Sequence, residues 1–168
     1  VTGAQAERLQ AYRHLGFCPQ VDPVIHRLTG REHLEFYGWL KGIPREHLKD
    51  EVQRIMQRLG FEEADRDVPA SKYSGGMTRK LSLAIALIGA PDVLFLDEPS
   101  AAVDASAKRY LWKVIRQRRE SQTVIMTTHS MEEAESVCDR LAIQVRGVLR
   151  CVGTPTQLKA KYALGYQL

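Results

Sequence analysis

The sequence has little of what marks secreted, zinc-binding or membrane-spanning proteins. Its three cysteines, Cys18, Cys138 and Cys151, are an odd number without C-x-x-C spacing, which argues against a disulfide framework or a zinc site. The most apolar stretch, residues 81–96, is interrupted by polar residues, glycine and proline and is too short for a spanning helix. We therefore expect a reducing, cytosolic setting, with any membrane link made through a partner or another segment.

Positively charged residues are not concentrated in any one part of the sequence either. The formal net charge is +4, but lysine and arginine are scattered among acidic residues, so nucleic acid is not an expected partner. The sequence has no initiator methionine at residue 1 and no amino-terminal signal segment, so we expect an internal piece of a longer protein. With 44% hydrophobic and 26% charged residues, its 168 residues predict one folded globular domain.

Short apolar runs alternate with helical patterns, which predicts a largely parallel α/β sheet. The predicted strands are Leu15–Cys18, Val93–Leu96, taken as buried, and Thr123–Thr127, then a hairpin of Leu141–Val145 and Val148–Val152 joined by Arg146-Gly147. Helices are predicted after the capping boxes Thr29–Glu32 and Thr154–Gln157, from Pro44 to the Gly60 cap, after Gly76, around Tyr110–Ile115 and over Met131–Val137.

The main chemical signal is a pair of adjacent carboxylates, Asp97 and Glu98, at the end of the strand Val93–Leu96. Open α/β sheets bind ligands at the carboxyl ends of their strands. Phosphoryl transfer needs a magnesium ligand and a group that orients or deprotonates the attacking water. We therefore expect Asp97 to hold the metal and Glu98 to act on the water. The alternative is an acidic strand end followed by a turn at Pro99.

A small-residue turn, Ser74-Gly75-Gly76, runs directly into a predicted helix. Such a turn exposes backbone N–H groups at the positive end of the helix, roughly +0.5 of a charge, and can bind an anion. The alternative is an ordinary helix start capped by Ser74.

Three further polar residues each allow a functional and a structural interpretation. His129 follows the strand Thr123–Thr127 and would reach a γ-phosphate, or cap a helix. Gln20 ends a short strand segment. Its amide would either coordinate metal or water there, or face solvent without a ligand. Asp104 lies just beyond the carboxylate pair and is also placed to cap the following helix.

The order of these residues resembles that of the ABC ATPase over essentially the whole chain. The spacings, 54 residues from Gln20 to Ser74 and 24 from Ser74 to Glu98, match a compact domain. The resemblance implies that Gln20 is the Q-loop glutamine and that Ser74-Gly75-Gly76 is the signature motif. It implies that Asp97 is the magnesium aspartate and Glu98 the catalytic glutamate. It also places Asp104 in the D-loop and makes His129 the switch histidine.

The resemblance also implies a fold and cofactors. The implied fold is α/β, with a P-loop NTPase-like, mostly parallel sheet. A helical signature subdomain is inserted at approximately residues 21–90, and the rest of residues 1–168 forms the catalytic core. The implied cofactors are ATP and Mg²⁺, with Gln20 as well as Asp97 near the metal.

Finer features resemble the A subfamily, whose members move lipids. The carboxyl-terminal part of the sequence looks most similar to the second ATPase half of these transporters. The segments that carry this likeness are Cys18-Pro19-Gln20, Thr29–Leu34, Tyr73–Gly76, Arg79–Ser82, His129–Glu135 and Gly165-Tyr166.

The sequence also departs from the family pattern. No G-x-x-x-x-G-K-[S/T] loop occurs, and the adenine-stacking aromatic residue is missing. We interpret this as truncation and expect the chain alone to be inactive as an ATPase. Ala102 stands where the family usually has Gly and Ala105 where it has Pro, which puts coupling through the D-loop in doubt.

In the family, two such domains close head to tail, and the signature of one completes the site of the other. The implied partners are therefore a second ABC ATPase domain and transmembrane domains, with this domain on the cytosolic face of a membrane. The alternatives are a soluble paired-domain ATPase of the translation-factor type and a non-hydrolytic regulatory ABC domain. A chromosome-maintenance ATPase is disfavoured because no heptad array follows Gln20.

Overall fold

The computed structural model describes residues 11–101, 103–117 and 120–162, and the chain divides into two compact units, Val1–Thr127 and Thr128–Leu168. In the first unit, β1 (Leu15–Cys18), β2 (Val93–Asp97) and β3 (Thr123–Thr127) form a parallel sheet in the order β1-β2-β3. The predicted α/β class and its parallel sheet are confirmed.

The helices of the first unit begin and end close to the predicted positions. They are α1 (Gly30–Leu40), α2 (Arg45–Arg58), α3 (Glu63–Arg66), a 3₁₀ turn (Ala70–Lys72), α4 (Gly75–Leu87) and α5 (Ala105–Arg116). The short α3 and the 3₁₀ turn were not predicted, because a single turn leaves no hydrophobic period in the sequence.

Local capping explains where the first two helices begin and end. Thr29 Oγ1 accepts the Glu32 N–H at 3.1 Å, and Glu32 accepts the Thr29 N–H at 2.8 Å, so the predicted capping box is confirmed. Pro44 occupies the N-cap of α2 rather than the predicted first helical position, which Arg45 takes. Gly60 follows α2 with φ of +68°, the left-handed conformation expected of a glycine cap.

The core of the first unit lies between α4 and the sheet. Every residue of α4 from Leu81 to Leu87 is buried, and this helix packs on β1. The approach is close at Gly16, where an added Cβ would lie 2.2 Å from the carbonyl oxygen of Ala86. Only glycine fits there, so the absent side chain sets how closely α4 approaches β1.

The two faces of the sheet differ in exposure. Cys18, Leu94 and Leu96 are buried on the α4 side. On the other face, Phe17, Phe95 and Ile125 lie side by side in the strand register and are 59%, 38% and 51% exposed. The prediction of a buried second strand is therefore wrong for Phe95, which lies on the exposed face, and is confirmed for Leu94 and Leu96.

The second unit is a helix, a hairpin and a helix: α6 (Met131–Val137), β4 (Leu141–Val145), β5 (Val148–Gly153) and α7 (Pro155–Tyr162). Strands β4 and β5 pair antiparallel, as predicted. Arg146 and Gly147 both have positive φ, +50° and +78°, which matches the right-handed twist of a two-residue hairpin. None of the helices that the structure describes is long and apolar enough to cross a membrane.

Replacing Gly16 by alanine should lower the free energy of unfolding by about 1–3 kcal/mol, because the new Cβ must push the α4 backbone away from β1. Gly75→Ala is the matched control, since nothing lies within 4 Å of a Cβ built there. Urea unfolding followed by tryptophan fluorescence measures both variants. Equal stability of the two variants would contradict the close packing.

Candidate functional site

The carboxylate pair lies at the carboxyl end of β2. Asp97 is the last residue of the strand, and its Oδ1 accepts a hydrogen bond from Thr127 Oγ1 at 2.5 Å. Glu98 follows with φ of +49°, and its N–H donates to the Thr127 carbonyl at 3.1 Å. A left-handed non-glycine residue costs about 1 kcal/mol or more and concentrates at functional sites. The backbone therefore turns sharply between the two carboxylates.

The backbone of this segment is held by a buried arginine. The guanidinium of Arg79, in α4, donates from Nη2 to the carbonyls of Asp97 and Glu98, both at 2.9 Å, and from Nε to Pro99 at 2.8 Å. Only 3% of Arg79 is exposed. Sequence reasoning gave Arg79 no role of its own, because a single arginine in a helical pattern does not show which carbonyls it will meet.

The Gln20 loop reaches the same guanidinium. Arg79 Nη1 donates to the carbonyls of Pro19 at 2.6 Å and Gln20 at 3.4 Å, and to Asp22 Oδ1 at 2.8 Å. The residue Gln20 itself is exposed. The structure therefore brings the backbone of the Gln20 loop and the backbone of the carboxylate pair to one side chain.

The glycine turn is an accessible helix start. Ser74 is the N-cap of α4, and its Oγ accepts the Met77 N–H at 3.3 Å, so the structural interpretation is confirmed. Ser74 and Gly75 are exposed, and no atom lies within 4 Å of a Cβ built on Gly75. The positive end of α4 is thus open to an approaching anion, which the Ser74 cap does not prevent.

Asp104 adjoins this turn. Its Oδ1 accepts the backbone N–H groups of Ser106 at 2.9 Å and Ala107 at 3.0 Å, so Asp104 caps α5 as one interpretation proposed. A Cβ built on Gly76 would lie 3.9 Å from Asp104 Oδ2. The N–H donors of Ala107 and Ser106 lower the pKa of Asp104. Ala102 lies outside the described residues.

His129 belongs to the second unit and is exposed. The helix that follows it is capped by Ser130, whose Oγ accepts the Glu133 N–H at 3.3 Å, so His129 is not the cap. Thr128 Oγ1 donates to Glu133 Oε2 at 2.5 Å and holds that carboxylate. The expected approach of His129 to a γ-phosphate stays a prediction. Gly165-Tyr166 lies outside the described residues.

Asp97 is the carboxylate at the end of β2 that could serve as a magnesium ligand. Within residues 11–101, 103–117 and 120–162, no group of three or more His, Cys, Asp or Glu side chains is placed to hold a metal. Magnesium commonly binds through one or two carboxylates, substrate phosphates and water. Asp97, with its orientation fixed by Thr127, fits that requirement.

A family model described as ABC transporter matches residues 2–101, more than half of the chain. The chain belongs to the ABC transporter family. The predicted family resemblance is therefore confirmed, and the residues described above lie in an ABC ATP-binding domain.

Curated relatives of this ABC domain include members of the A family. ABC transporter A family member 5 of Arabidopsis thaliana is 49% identical over 158 residues, covering 94% of this chain and 17% of the relative. ATP-binding cassette sub-family A member 7 of Mus musculus is 46% identical over 164 residues, covering 96% of this chain and 8% of the relative. The chain thus spans a small part of the relatives it matches.

Solved ABC structures share the fold. A dimeric ATP-binding cassette in a post-hydrolysis state, bound to ADP and phosphate, aligns with a TM-score of 0.78 at 19% identity over 92% of this chain and 68% of that one. An ATP-binding subunit of an ABC transporter aligns with a TM-score of 0.79 at 21% identity, covering 95% of this chain and 67% of that one. These likenesses confirm the P-loop NTPase-like α/β fold.

Asp104→Asn should lower stability near neutral pH and have no effect in strong acid. Asparagine keeps the cap oxygen but loses the charge that favours the amino end of α5. Because the pKa of Asp104 is lowered from 3.8, its charge stabilises the fold above that value, and this contribution disappears as pH falls through the folded-state pKa. Melting temperatures of both proteins across about pH 2–7 test this. A pH-independent difference would contradict the charge effect.

Proposed function

We propose that this domain binds ATP with Mg²⁺ and hydrolyses it to drive transport across a membrane. The observation that supports this most directly is the carboxylate pair at the carboxyl end of β2, where Thr127 orients Asp97 and Glu98 follows in a left-handed backbone conformation. Such a pair supplies both a metal ligand and a group for the attacking water.

Each residue has a distinct role in the proposed reaction. The Asp97 carboxylate would hold Mg²⁺, with the Gln20 amide as a further oxygen donor. The Glu98 carboxylate accepts a hydrogen bond from the attacking water and orients it. His129 donates a hydrogen bond to the γ-phosphate. Bound Mg²⁺ would neutralise charge on the phosphate oxygens.

A second ABC ATPase domain is the proposed partner for the exposed turn. The N–H groups at Ser74, Gly75 and Gly76 would bind the nucleotide held by that partner, and Asp104 lies at the edge of the same surface. The exposure of Ser74 and Gly75 supports this, as does the dimeric state of a structurally similar ATP-binding cassette. Transmembrane domains of the same transporter would carry this domain on the cytosolic face of the membrane.

Lipid is the proposed transport substrate. This rests on the A-family motifs in the sequence and on the A-family relatives at 46–49% identity. The same relatives favour a transporter over a soluble translation-factor ATPase, since their names describe transporters and ATP-binding cassettes.

Glu98→Gln should lower kcat for ATP hydrolysis by roughly 10²–10⁴-fold, because an amide accepts the proton of water far less readily than a carboxylate. ATP binding should stay unchanged. The experiment uses the intact protein that carries this domain, since the 168 residues contain no G-x-x-x-x-G-K-[S/T] loop.

Glu62→Gln is the matched control, because Glu62 is an exposed residue whose side chain makes no capping hydrogen bond. If Glu98→Gln and Glu62→Gln hydrolyse ATP at the same rate as the parent, Glu98 is not the catalytic residue. A parent protein that binds ATP without turnover would favour the regulatory alternative.

Thr127→Val should raise the Mg²⁺ concentration needed for half-maximal hydrolysis by about tenfold, because the Asp97 carboxylate loses the hydroxyl that orients it. Thr127→Ser keeps the hydroxyl and should behave like the parent. Magnesium titrations of ATPase activity compare the three proteins. An unchanged magnesium requirement in Thr127→Val would contradict the role of Asp97 as metal ligand.

A further inference from the structure

Arg79 is bonded through all three of its guanidinium nitrogens, and its acceptors come from two separate parts of the chain. The acceptors before α4 are Pro19 O, Gln20 O and Asp22 Oδ1, and those after it are Asp97 O, Glu98 O and Pro99 O. Guanidinium has five N–H donors in a rigid fork, so at least one of them is shared between two acceptors. The side chain is committed entirely to these two loops.

A second side chain of α4 strengthens the attachment of the Gln20 loop. Ser82 Oγ donates to Asp22 Oδ1 at 2.6 Å, next to the 2.8 Å ion pair between that oxygen and Arg79. Asp22 is the one carboxylate among the six acceptors named above. It offsets part of the cost of burying the guanidinium, and the neutral carbonyls accept the remaining N–H groups.

The fork geometry cannot be replaced by charge alone. Lysine carries three donors on a single nitrogen and cannot reach acceptors that are spread over Nε, Nη1 and Nη2. A lysine at position 79 would therefore keep a cation near Asp22 but release several carbonyls of one loop or the other.

We infer that Arg79 is a positioning residue that fixes the Gln20 loop to the Asp97–Glu98 segment, so that the two loops move together. The catalytic consequence of this role rests on the proposed function, whereas the mechanical connection does not. A displacement of the Gln20 loop would then change the position of the Glu98 carboxylate through the hydrogen bonds that Arg79 makes to the backbone of both segments.

Cys18 provides a local reporter of this connection. It directly precedes Pro19, is 0% exposed, and burial raises the pKa of its thiol to about 11. A buried, protonated thiol reacts slowly with alkylating reagents. If the Gln20 loop is released, Cys18 becomes accessible, and this change does not depend on nucleotide chemistry.

The experiment compares Arg79→Lys with Arg66→Lys in the intact protein. Arg66 is a matched control, because it is also buried, at 6% exposure, but donates to the Phe61 carbonyl and to Gln53, away from the carboxylate pair. Alkylation of the Cys18 peptide by N-ethylmaleimide is followed by mass spectrometry. We expect the rate to rise about tenfold in Arg79→Lys and to stay at the parent value in Arg66→Lys.

Steady-state ATP hydrolysis is the second readout. Arg79→Lys should lower kcat about 10- to 100-fold through misplacement of Glu98, with KM for ATP changed by less than about twofold. Arg66→Lys should keep the parent kcat. If the parent itself hydrolyses no ATP, the proposed function fails, while the alkylation rates still test the connection between the loops.

Two results would overturn the inference. One is parent-like alkylation of Cys18 in Arg79→Lys, and the other is an equal rise in both lysine variants, which would mean general destabilisation. Should Arg79→Lys fail to fold, Asp22→Ala replaces it, because it removes the oxygen that accepts from both Arg79 and Ser82. Faster Cys18 alkylation in Asp22→Ala supports the inference, and a parent-like rate refutes it.

Discussion

The fold of the first unit depends on the contact between α4 and the sheet. Gly16 lets the α4 backbone approach β1, and the buried apolar residues of α4 cover one face of the sheet. This contact places Arg79 in a buried position between the end of β1 and the end of β2, where it hydrogen-bonds to both segments. A solvent-exposed arginine would make few lasting hydrogen bonds. The glycine turn at the start of α4 is positioned by the same helix. One packing interaction thus sets the location of both the carboxylate pair and the turn.

The site combines exposed groups with a buried support. In the first unit, Ser74, Gly75 and Gln20 are exposed, whereas Arg79 is buried and Thr127 bonds the carboxylate of Asp97. This division would suit the proposed site, which would have to exchange nucleotide and still hold a metal ligand in a fixed orientation. Arg79 would then influence the proposed chemistry through the backbone that it holds.

Local patterns in the sequence predicted most elements, and long-range contacts account for what was missed. The strands and the capping box at Thr29 follow from neighbouring residues, so each was predicted within about a residue. The exposed face of β2 was not, because an apolar run does not tell which of its sides is covered. The roles of Arg79 and Thr127 depend on partners far away in the chain. The order of the motifs identified the family, while the functions of Gln20, Glu98 and His129 stay predictions.

Under the role proposed for Glu98, its left-handed backbone puts stability and chemistry in opposition at a single position. Glycine would adopt φ of +49° without strain, but it has no carboxylate to act on water. Variants selected only for a higher melting temperature would therefore be drawn towards glycine here and away from the proposed activity. In a protein engineered for robustness, residue 98 is the position to hold fixed.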